Sequence, residues 1–584
     1  MQIRELEITH FRGIKHLKWS IPKDRRFVCV IGPGDSGKSS VLDAIDLTLC
    51  DRWNPAIADT DFYDSDVSTP IVIRCVVSDL PKSLLKESSL GLSLSGIDDL
   101  GELHQDPEDG TDAALIIQLC VDDTLEPAWT IERVDGSDST VLRSTHRREF
   151  ATFKVDDRID THLRWTKTSA LGRISAPDNS AGTAMALASR AAREAIADLD
   201  DENLSALTTR IQAKLNEVGC GVFESIQPGL DTSLSSTGGN LALYESNVPL
   251  TNYGLGSKRL AGLVVQQLAA ANRAVLLIDE IEHGLEPHRL VRLLQYLKSD
   301  DSYSQVFVTT HSPVVVEQAP TENLAILRND SGDALMRFLP DGTGTTLRMR
   351  RSRPSSFLAR RVIVTEGRTE EGLLHELIRR KDRERLALGQ SVAAGEGTVV
   401  QDGEGGSEAP VRARALIELG YAVAVFMDSD DRTVDANVRK AESAGVVVAR
   451  WAKGHNTESQ LAASLDAPGL TSLLLLGVDV RSSESTVVND LTQAGLPGDI
   501  VSLKVEDWIA DGSTDLAGAR GLISKAMIAS KWFKNVDAGN SLGEWILDHQ
   551  DDFMDSTVCE VIETLQSFIY PDLRPGLEDA AEDE

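Results

Sequence analysis

Short unbroken apolar runs, each ending near a glycine, a hydroxyl or an acid, are the dominant pattern of this chain. Phe27–Ile31, Ala274–Ile278, Val306–Val308, Val362–Val364 and Tyr421–Met427 lack the alternation of a half-exposed strand and are too short for buried helices. They predict strands covered on both faces in a parallel sheet. Helical spacing separates them: Val41, Leu42, Ala44, Ile45 and Leu49 after the first run, Leu260, Leu263, Val264 and Leu268 before the second, then helices over Thr369–Arg385 and Val411–Leu419. Strands alternating with helices imply an α/β fold. An earlier strand is predicted from Ile3, Leu6, Ile8 and Phe11, and the runs Ile71–Val77, Ala114–Cys120 and Trp129–Arg133 predict a β-rich lobe. From Gly182 to Val218 the chain is Ala-rich with helical spacing (Met185, Leu187, Ala191, Ile196, Leu199, then Leu207, Ile211, Leu215) but without sustained heptads. A short helical insertion suited to dimerisation follows, not a coiled-coil arm.

The first buried run leads into Gly32-Pro33-Gly34-Asp35-Ser36-Gly37-Lys38-Ser39-Ser40, and a helical pattern begins there. This is the strand–loop–helix setting of a P-loop. Backbone N–H groups around Gly32, Gly34 and Gly37 would face phosphate oxygens, and Ser40 would add to the nucleotide contacts. Lys38 would reach the terminal phosphates and Ser39 would ligate Mg²⁺. The run Ala274–Ile278 ends in Asp279 and Glu280. The first acid would hold the Mg²⁺ shell, and the second would orient and deprotonate the attacking water. Tyr253-Gly254-Leu255-Gly256-Ser257-Lys258-Arg259 is a Gly-rich turn opening a helix, either a second anion-binding N-terminus or a simple cap. The strand Val306–Thr310 runs into His311. A lone histidine is usually structural, but at this strand end it can touch a γ-phosphate.

In this order the four segments resemble the ABC-type ATPase heads of the SMC and RecF group, over residues 1–345. The resemblance implies ATP as the nucleotide and places Ser257 in trans, so that ATP is sandwiched between two protomers. The signature stretch Gly254-Leu255-Gly256-Ser257-Lys258 departs from the usual LSGGQ of that group.

A second constellation lies in the C-terminal half. The strand Arg361–Thr365 ends in Glu366, and Glu370 stands one turn into the following helix, close enough to share a metal with it. Val399-Val400 predicts a short strand and Asp402–Gly406 a loop. The strand Tyr421–Met427 ends in Asp428-Ser429-Asp430-Asp431, a D-x-D that puts Asp428 and Asp430 on the same side of the strand end, with Asp431 a bystander. The strand Val446–Trp451 and a loop–helix at Gly454–Glu458 complete the series. Acids at the carboxyl ends of parallel strands sit where such sheets bind ligands, and bare carboxylates suit divalent cations. The alternative is a Rossmann-like unit with incidental surface acids.

The E…DxD layout, with Glu366-x-x-x-Glu370 and Asn456-x-Glu458, resembles the TOPRIM domain in its OLD-family form. An ABC head with a helical insertion, followed by a C-terminal TOPRIM, is the architecture of the OLD family of nucleases, which includes the nuclease subunit of the Gabija anti-phage system. The resemblance implies an α/β chain with an ABC ATPase N-terminal part at 1–165 and a helical dimerisation insertion at 166–225. The ABC ATPase C-terminal part follows at 226–345, then a TOPRIM nuclease domain (a Rossmann-like parallel sheet) at 355–570 and an acidic tail at 571–584. It implies two Mg²⁺ or Mn²⁺ ions shared by Glu366, Glu370, Asp428, Asp430 and Glu458. It also implies a lysine at the phosphodiester, for which Lys534 is preferred to Lys531. The function implied is nucleotide-regulated DNA cleavage in anti-phage defence, by a homodimer or a higher homo-oligomer such as a tetramer, with a helicase-like protein as a further partner. The rival is an ATP-driven DNA clamp or scaffold of the SMC/RecF type whose TOPRIM domain does not cut. A topoisomerase-like covalent link ranks below both, because it needs a nucleophilic tyrosine and only Tyr570 follows Tyr421.

Composition narrows this picture. A chain of 584 residues exceeds one core. A net charge of -32 disfavours a general nucleic-acid coat, though not a nuclease. Two basic clusters oppose the trend: Arg348, Arg350, Arg351, Arg353, Arg360 and Arg361, then Arg379, Arg380, Lys381, Arg383 and Arg385. They flank the carboxylates, either as a DNA-facing surface or as solvated faces balancing nearby acids. The cysteines (Cys29, Cys50, Cys75, Cys120, Cys220, Cys559) form no CxxC pair, the N-terminus is charged where a signal peptide would be apolar, and no run approaches the ~20 apolar residues of a membrane helix. A cytoplasmic protein with reduced thiols and no membrane contact is expected. The acidic tail is expected to be disordered.

Overall fold

The computed structural model describes residues 1–155 except 53–54, 137–138 and 151, and residues 248–573 except 270–273, 300–302, 341–343, 498–501 and 555, with 187, 190–191, 206, 209 and 244–245 between them. Apart from those isolated positions, the insertion expected at 166–225 lies outside the described residues, as does the end of the tail.

The main strands of the N-terminal half are β1 Gln2–Phe11, β2 Ile14–Ser20, β3 Phe27–Ile31, β4 Ile71–Ser78, β5 Asp112–Val121, β6 Pro127–Glu132, β7 Thr152–Val155, β8 Ala274–Ile278, β9 Tyr303–Thr309, β10 Leu324–Asp330 and β11 Asp333–Phe338, beside shorter ones. They run β7-β8-β9-β3-β10-β11-β2-β1-β4-β5 through a 14-stranded sheet, with β6 paired to β5. From β7 to β10 every neighbour is parallel. Strands β1, β2, β4, β5 and β6 pair antiparallel and form the expected β-rich lobe. Every residue of β3, β8 and β9 is buried, as their unbroken apolar runs require. The pleat splits β3 between two cores. Phe27, Cys29 and Ile31 face one, and Val28 and Val30 face the other.

A second sheet follows, built from β12 Arg361–Thr365, β13 Thr398–Asp402, β14 Ala422–Met427 and β15 Val447–Arg450. Its order is β13-β12-β14-β15, all parallel. Thr365 pairs with both Asp402 and Phe426, so the carboxyl ends of the three strands stand level. The last strand expected from the sequence, Val446–Trp451, is β15, and the regular structure described after it is helical. Asx side chains mark the helix starts that end the strand pattern: Asp466, Asp515 and Asn535 each accept a backbone N–H three residues on.

The two sheets share one core. Phe27 and Ile31 of β3 belong to the same buried cluster as Met349, Phe357, Val362 and Val364. Arg328 of β10 stacks on Tyr421 with its guanidinium carbon 3.5 Å from the ring centroid. The Tyr421 hydroxyl in turn donates to the Phe357 carbonyl at 2.8 Å.

The helix α1 (Lys38–Leu49) follows the P-loop, and α2 (Leu255–Ala269) precedes β8. In the C-terminal part α3 (Arg368–Ala387) crosses α4 (Val536–Asp548) at very short range. A Cβ at Gly372 would lie 2.3 Å from the Val536 carbonyl oxygen, and one at Gly539 would lie 2.6 Å from the Thr369 oxygen. Only backbone can be this close, so the crossing depends on glycine. Gly372→Ala is expected to destabilise the protein by about 1–3 kcal/mol through overpacking, since the clashing atoms are backbone and cannot rotate away. An unchanged denaturation midpoint would show that the two helices can separate freely.

Candidate functional site

At the N-terminal site, Gly37 caps α1 with φ +94°, and Gly32 passes so close to β10 that a Cβ would stand 2.4 Å from the Leu327 oxygen. These two positions therefore tolerate no side chain. Lys38 is buried and donates to the carbonyls of Gly32 at 3.1 Å and Pro33 at 2.7 Å, so its ammonium spans the loop mouth. Burial lowers it to about 8, and Asp279, Asp35, Glu280 and Glu282 pull the other way. Ser39 Oγ donates to Asp279 Oδ1 at 3.1 Å, so the two residues expected to bracket Mg²⁺ are already neighbours.

Thr309, at the end of β9, was not singled out in the sequence. Its hydroxyl donates to Asp279 Oδ1 at 2.6 Å and accepts from the Glu280 N–H at 2.8 Å. Glu280 sits at φ +46°, and its side chain is about half exposed. The carboxylate of Glu282, also unnoticed, accepts from the His311 N–H at 2.6 Å and from Thr310 Oγ1 at 2.7 Å. That ties the His311 turn to the acidic turn and leaves the imidazole exposed. Ser257 lies in the first turn of α2. The start of that helix is seated on the turn after β8, where a Cβ on Gly256 would come 2.2 Å from the Gly284 oxygen. Arg259, buried, donates to the carbonyls of Asp279, Glu280 and His283. The only sequence signal for Arg259 was its place in the Gly-rich turn.

The second site stands at the level carboxyl ends of β12 and β14. Glu366 Oε2 accepts the Asp428 N–H at 2.8 Å, and Gly406 approaches so closely that a Cβ would lie 2.8 Å from Glu366 Oε1. Glu370, one turn into α3, is buried and accepts from Thr457 Oγ1 at 2.8 Å. Asp428 Oδ1 accepts from the Thr457 N–H at 3.0 Å and its hydroxyl at 3.2 Å. Thr457 opens α5 (Thr457–Ser464), whose capping residue is Asn456. Glu458 follows with 0% exposure and neither oxygen hydrogen-bonded. Lys534 Nζ is 3.5 Å from Glu458 Oε1, an ion pair at the outer edge of hydrogen bonding, and both Lys534 and Lys531 are exposed. Asp430 is exposed at the rim, and Asp431 accepts the Thr433 N–H in a local turn. Arg450 donates from Nε to the Asp428 carbonyl at 2.8 Å and from Nη1 to Asp435 at 2.7 Å, which fixes the D-x-D turn from the neighbouring strand.

Electrostatics follow from this crowding. Burial raises Glu366 and Glu370. Burial, then the charges of Glu370 and Glu366, push Asp428 up to about 8. Burial lowers Lys534, but Glu458, Glu370 and Asp428 outweigh it and the net shift is upward. Among the described residues, no group of three or more His, Cys, Asp or Glu side chains has its donor atoms already set to hold an ion. The donor chemistry nonetheless fits a hard cation: the set is all oxygen, and the buried carboxylates of Glu458, Glu370 and Asp428 share the single ammonium of Lys534, so further positive charge would stabilise them.

The two basic clusters are largely used up internally. Arg348 pairs with Glu404 and Glu408, Arg353 with Glu371, Arg379 with Glu376, Arg380 with Asp548, Lys381 with Glu384 and Arg385 with Asp572. Arg350 is buried against the Ala319 carbonyl. Most of these side chains balance nearby acids. Among the described residues, no helix is long and apolar enough to cross a membrane.

With this geometry in place, comparison with known families bears on the N-terminal part. Residues 27–317 match the family model described as "AAA domain, putative AbiEii toxin, Type IV TA system". The chain therefore contains an ABC-type ATPase domain, and that stretch includes the P-loop, the Asp279–Glu280 turn and His311. No curated protein matches the chain significantly. Similar solved structures include the SMC head domain from Thermotoga maritima, at 13% identity and TM-score 0.28, covering 58% of this chain and 100% of that one. The Smc head domain from Pyrococcus furiosus bound to the C-terminal domain of ScpA gives 14% and 0.33, covering 58% and 96%. The recombination mediator RecF with ATP gives 13% and 0.32, covering 57% and 97%. Superpositions this loose carry no argument, and the ATPase assignment rests on the family model.

Proposed function

We propose that this protein is a nucleotide-regulated, divalent-metal-dependent DNA endonuclease of the OLD kind, an ABC-type ATPase head joined to a TOPRIM nuclease unit. One observation carries the reading: Glu366, Glu370, Asp428 and Glu458 are gathered with Lys534 at the carboxyl ends of a parallel sheet, and both Glu458 oxygens are buried without hydrogen-bond partners. Mg²⁺ or Mn²⁺ held by Glu366, Glu370, Asp428, Asp430 and Glu458 would supply Lewis-acid charge and an acidified water for phosphodiester hydrolysis. Thr457 orients Glu370 and Asp428, and Arg450 holds the turn that presents Asp428 and Asp430. Lys534 would offset charge developing on the phosphate. At the ATPase site, Lys38 and Ser39 bind the nucleotide and its Mg²⁺, Asp279 steadies that ion, and Glu280 positions the attacking water. Ser257 completes the site across a homodimer or higher oligomer. The shared core between the two sheets supports regulation of the carboxylate site by nucleotide.

The test is incubation of the purified protein with supercoiled plasmid in Mg²⁺ or Mn²⁺, with and without ATP. Metal-dependent conversion to open-circular or linear DNA is expected. ATP turnover without any conversion would favour the second reading, an ATP-driven DNA clamp or scaffold of the SMC/RecF type. The family match over the ATPase residues supports that alternative.

A further inference from the structure

We propose that Arg360 is a phosphate contact of the ATPase site, supplied in cis by the C-terminal sheet, and that it distinguishes ATP from ADP. The inference rests on the ATPase assignment but not on the nuclease reading. Arg360 immediately precedes β12, yet its guanidinium reaches the tip of the P-loop in the other half of the chain. Nη2 lies 3.5 Å from the Gly34 carbonyl oxygen and 4.0 Å from Asp35 Oδ2. Neither contact is a good hydrogen bond, and Asp35 is fully exposed. The guanidinium is therefore brought to the loop without being satisfied there.

Its placement is nonetheless built. The Arg360 and Arg361 N–H groups both donate to the Gly397 carbonyl, at 2.9 and 3.1 Å. Gly397 has φ +67°, and a Cβ on it would stand 3.0 Å from Arg360 Cγ. The aliphatic stem thus lies against a residue that must be glycine, and this aims the head group at the loop. A P-loop gathers phosphates beneath its tip, and a planar guanidinium binds phosphate through paired N–H donors far better than it binds a lone carbonyl. Lys38, which donates to the Pro33 carbonyl one residue before Gly34, would hold the terminal phosphate on the same loop that this head group reaches.

The position also has a mechanical consequence. Arg360 precedes the first residue of β12, and Glu366 follows its last. One rigid five-residue strand, hydrogen-bonded on both sides, therefore joins the phosphate contact to the carboxylate site.

The experiment is titration of the full-length protein with fluorescent ATP and ADP analogues in Mg²⁺, comparing wild type with Arg360→Ala, Arg360→Gln and Arg360→Lys. Loss of a charged hydrogen bond predicts roughly tenfold weaker ATP binding in the Ala and Gln variants. ADP binding should change little, and Lys should recover part of the loss. Wild-type affinity for both nucleotides in the Gln variant would overturn the proposal, as would equal losses for ATP and ADP. Thermal melts of each variant separate these outcomes from misfolding, and Arg360→Lys keeps the test available if the neutral variants unfold. A wild-type protein that binds no ATP would overturn the ATPase assignment instead.

Discussion

Replacing Asp428 with asparagine is expected to reduce metal-dependent plasmid nicking by about 10²–10³-fold, the cost of one lost charge-stabilising group at a phosphoryl centre. The substitution keeps the shape that accepts from the Thr457 N–H and hydroxyl, and it leaves the Asp428 carbonyl on Arg450. Folding should not suffer. Burial beside Glu370 and Glu366 already holds the Asp428 carboxyl far above the usual carboxylate range, so a neutral amide relieves repulsion in the metal-free protein. Three readouts separate the explanations. Nicking should fall, the melting temperature without metal should hold or rise, and stabilisation by added Mg²⁺ or Mn²⁺ should shrink. ATP hydrolysis should continue, because Asp279 follows a strand of the other sheet and Lys38 opens the helix after its P-loop. Undiminished nicking by Asp428→Asn would place the nuclease site elsewhere in the protein.

Glu280→Gln is expected to bind ATP like wild type and to hydrolyse it about 10²–10³-fold more slowly, since it keeps shape but loses the base that orients water. The backbone at this residue has φ +46° and is held by Thr309 Oγ1 on its N–H and by Arg259 on its carbonyl, and none of these depends on the side-chain charge. Lys38→Ala should behave differently. It removes the buried ammonium that spans the Gly32 and Pro33 carbonyls, and ATP binding itself should weaken by about 10–100-fold, as expected for lost charged hydrogen bonds. Equilibrium binding and single-turnover hydrolysis distinguish the two variants. Wild-type turnover by Glu280→Gln would remove Glu280 from the water-activating role.

Much of this was legible in the chain alone. The P-loop could be read because its chemistry is local: glycines, a lysine and a hydroxyl within a few residues. The buried strands could be read because a strand covered on both faces has no polar alternation to hide it. Glu366, Asp428 and Asp430 could be read because each follows such a run. The helices beyond Glu458 could not be read, since the Leu- and Ala-rich segments there carry no period that separates a buried helix from a strand.

The partners that tune both sites belong to the tertiary structure. Thr457 touches Glu370 and Asp428, which are far from it in sequence, and only its place between Asn456 and Glu458 pointed to the site. Thr309, Glu282, Arg259 and Arg450 act the same way, through hydrogen bonds to residues on other elements. The basic clusters show the converse. In the sequence they could serve DNA or balance acids, and the ion pairs of Arg353, Arg380 and Arg385 were decided by which acids the fold brought within 4 Å. Sequence determines which groups are available and on which strand ends they stand. Burial and pairing depend on distances between remote residues, and those exist only once the two sheets close on their common core.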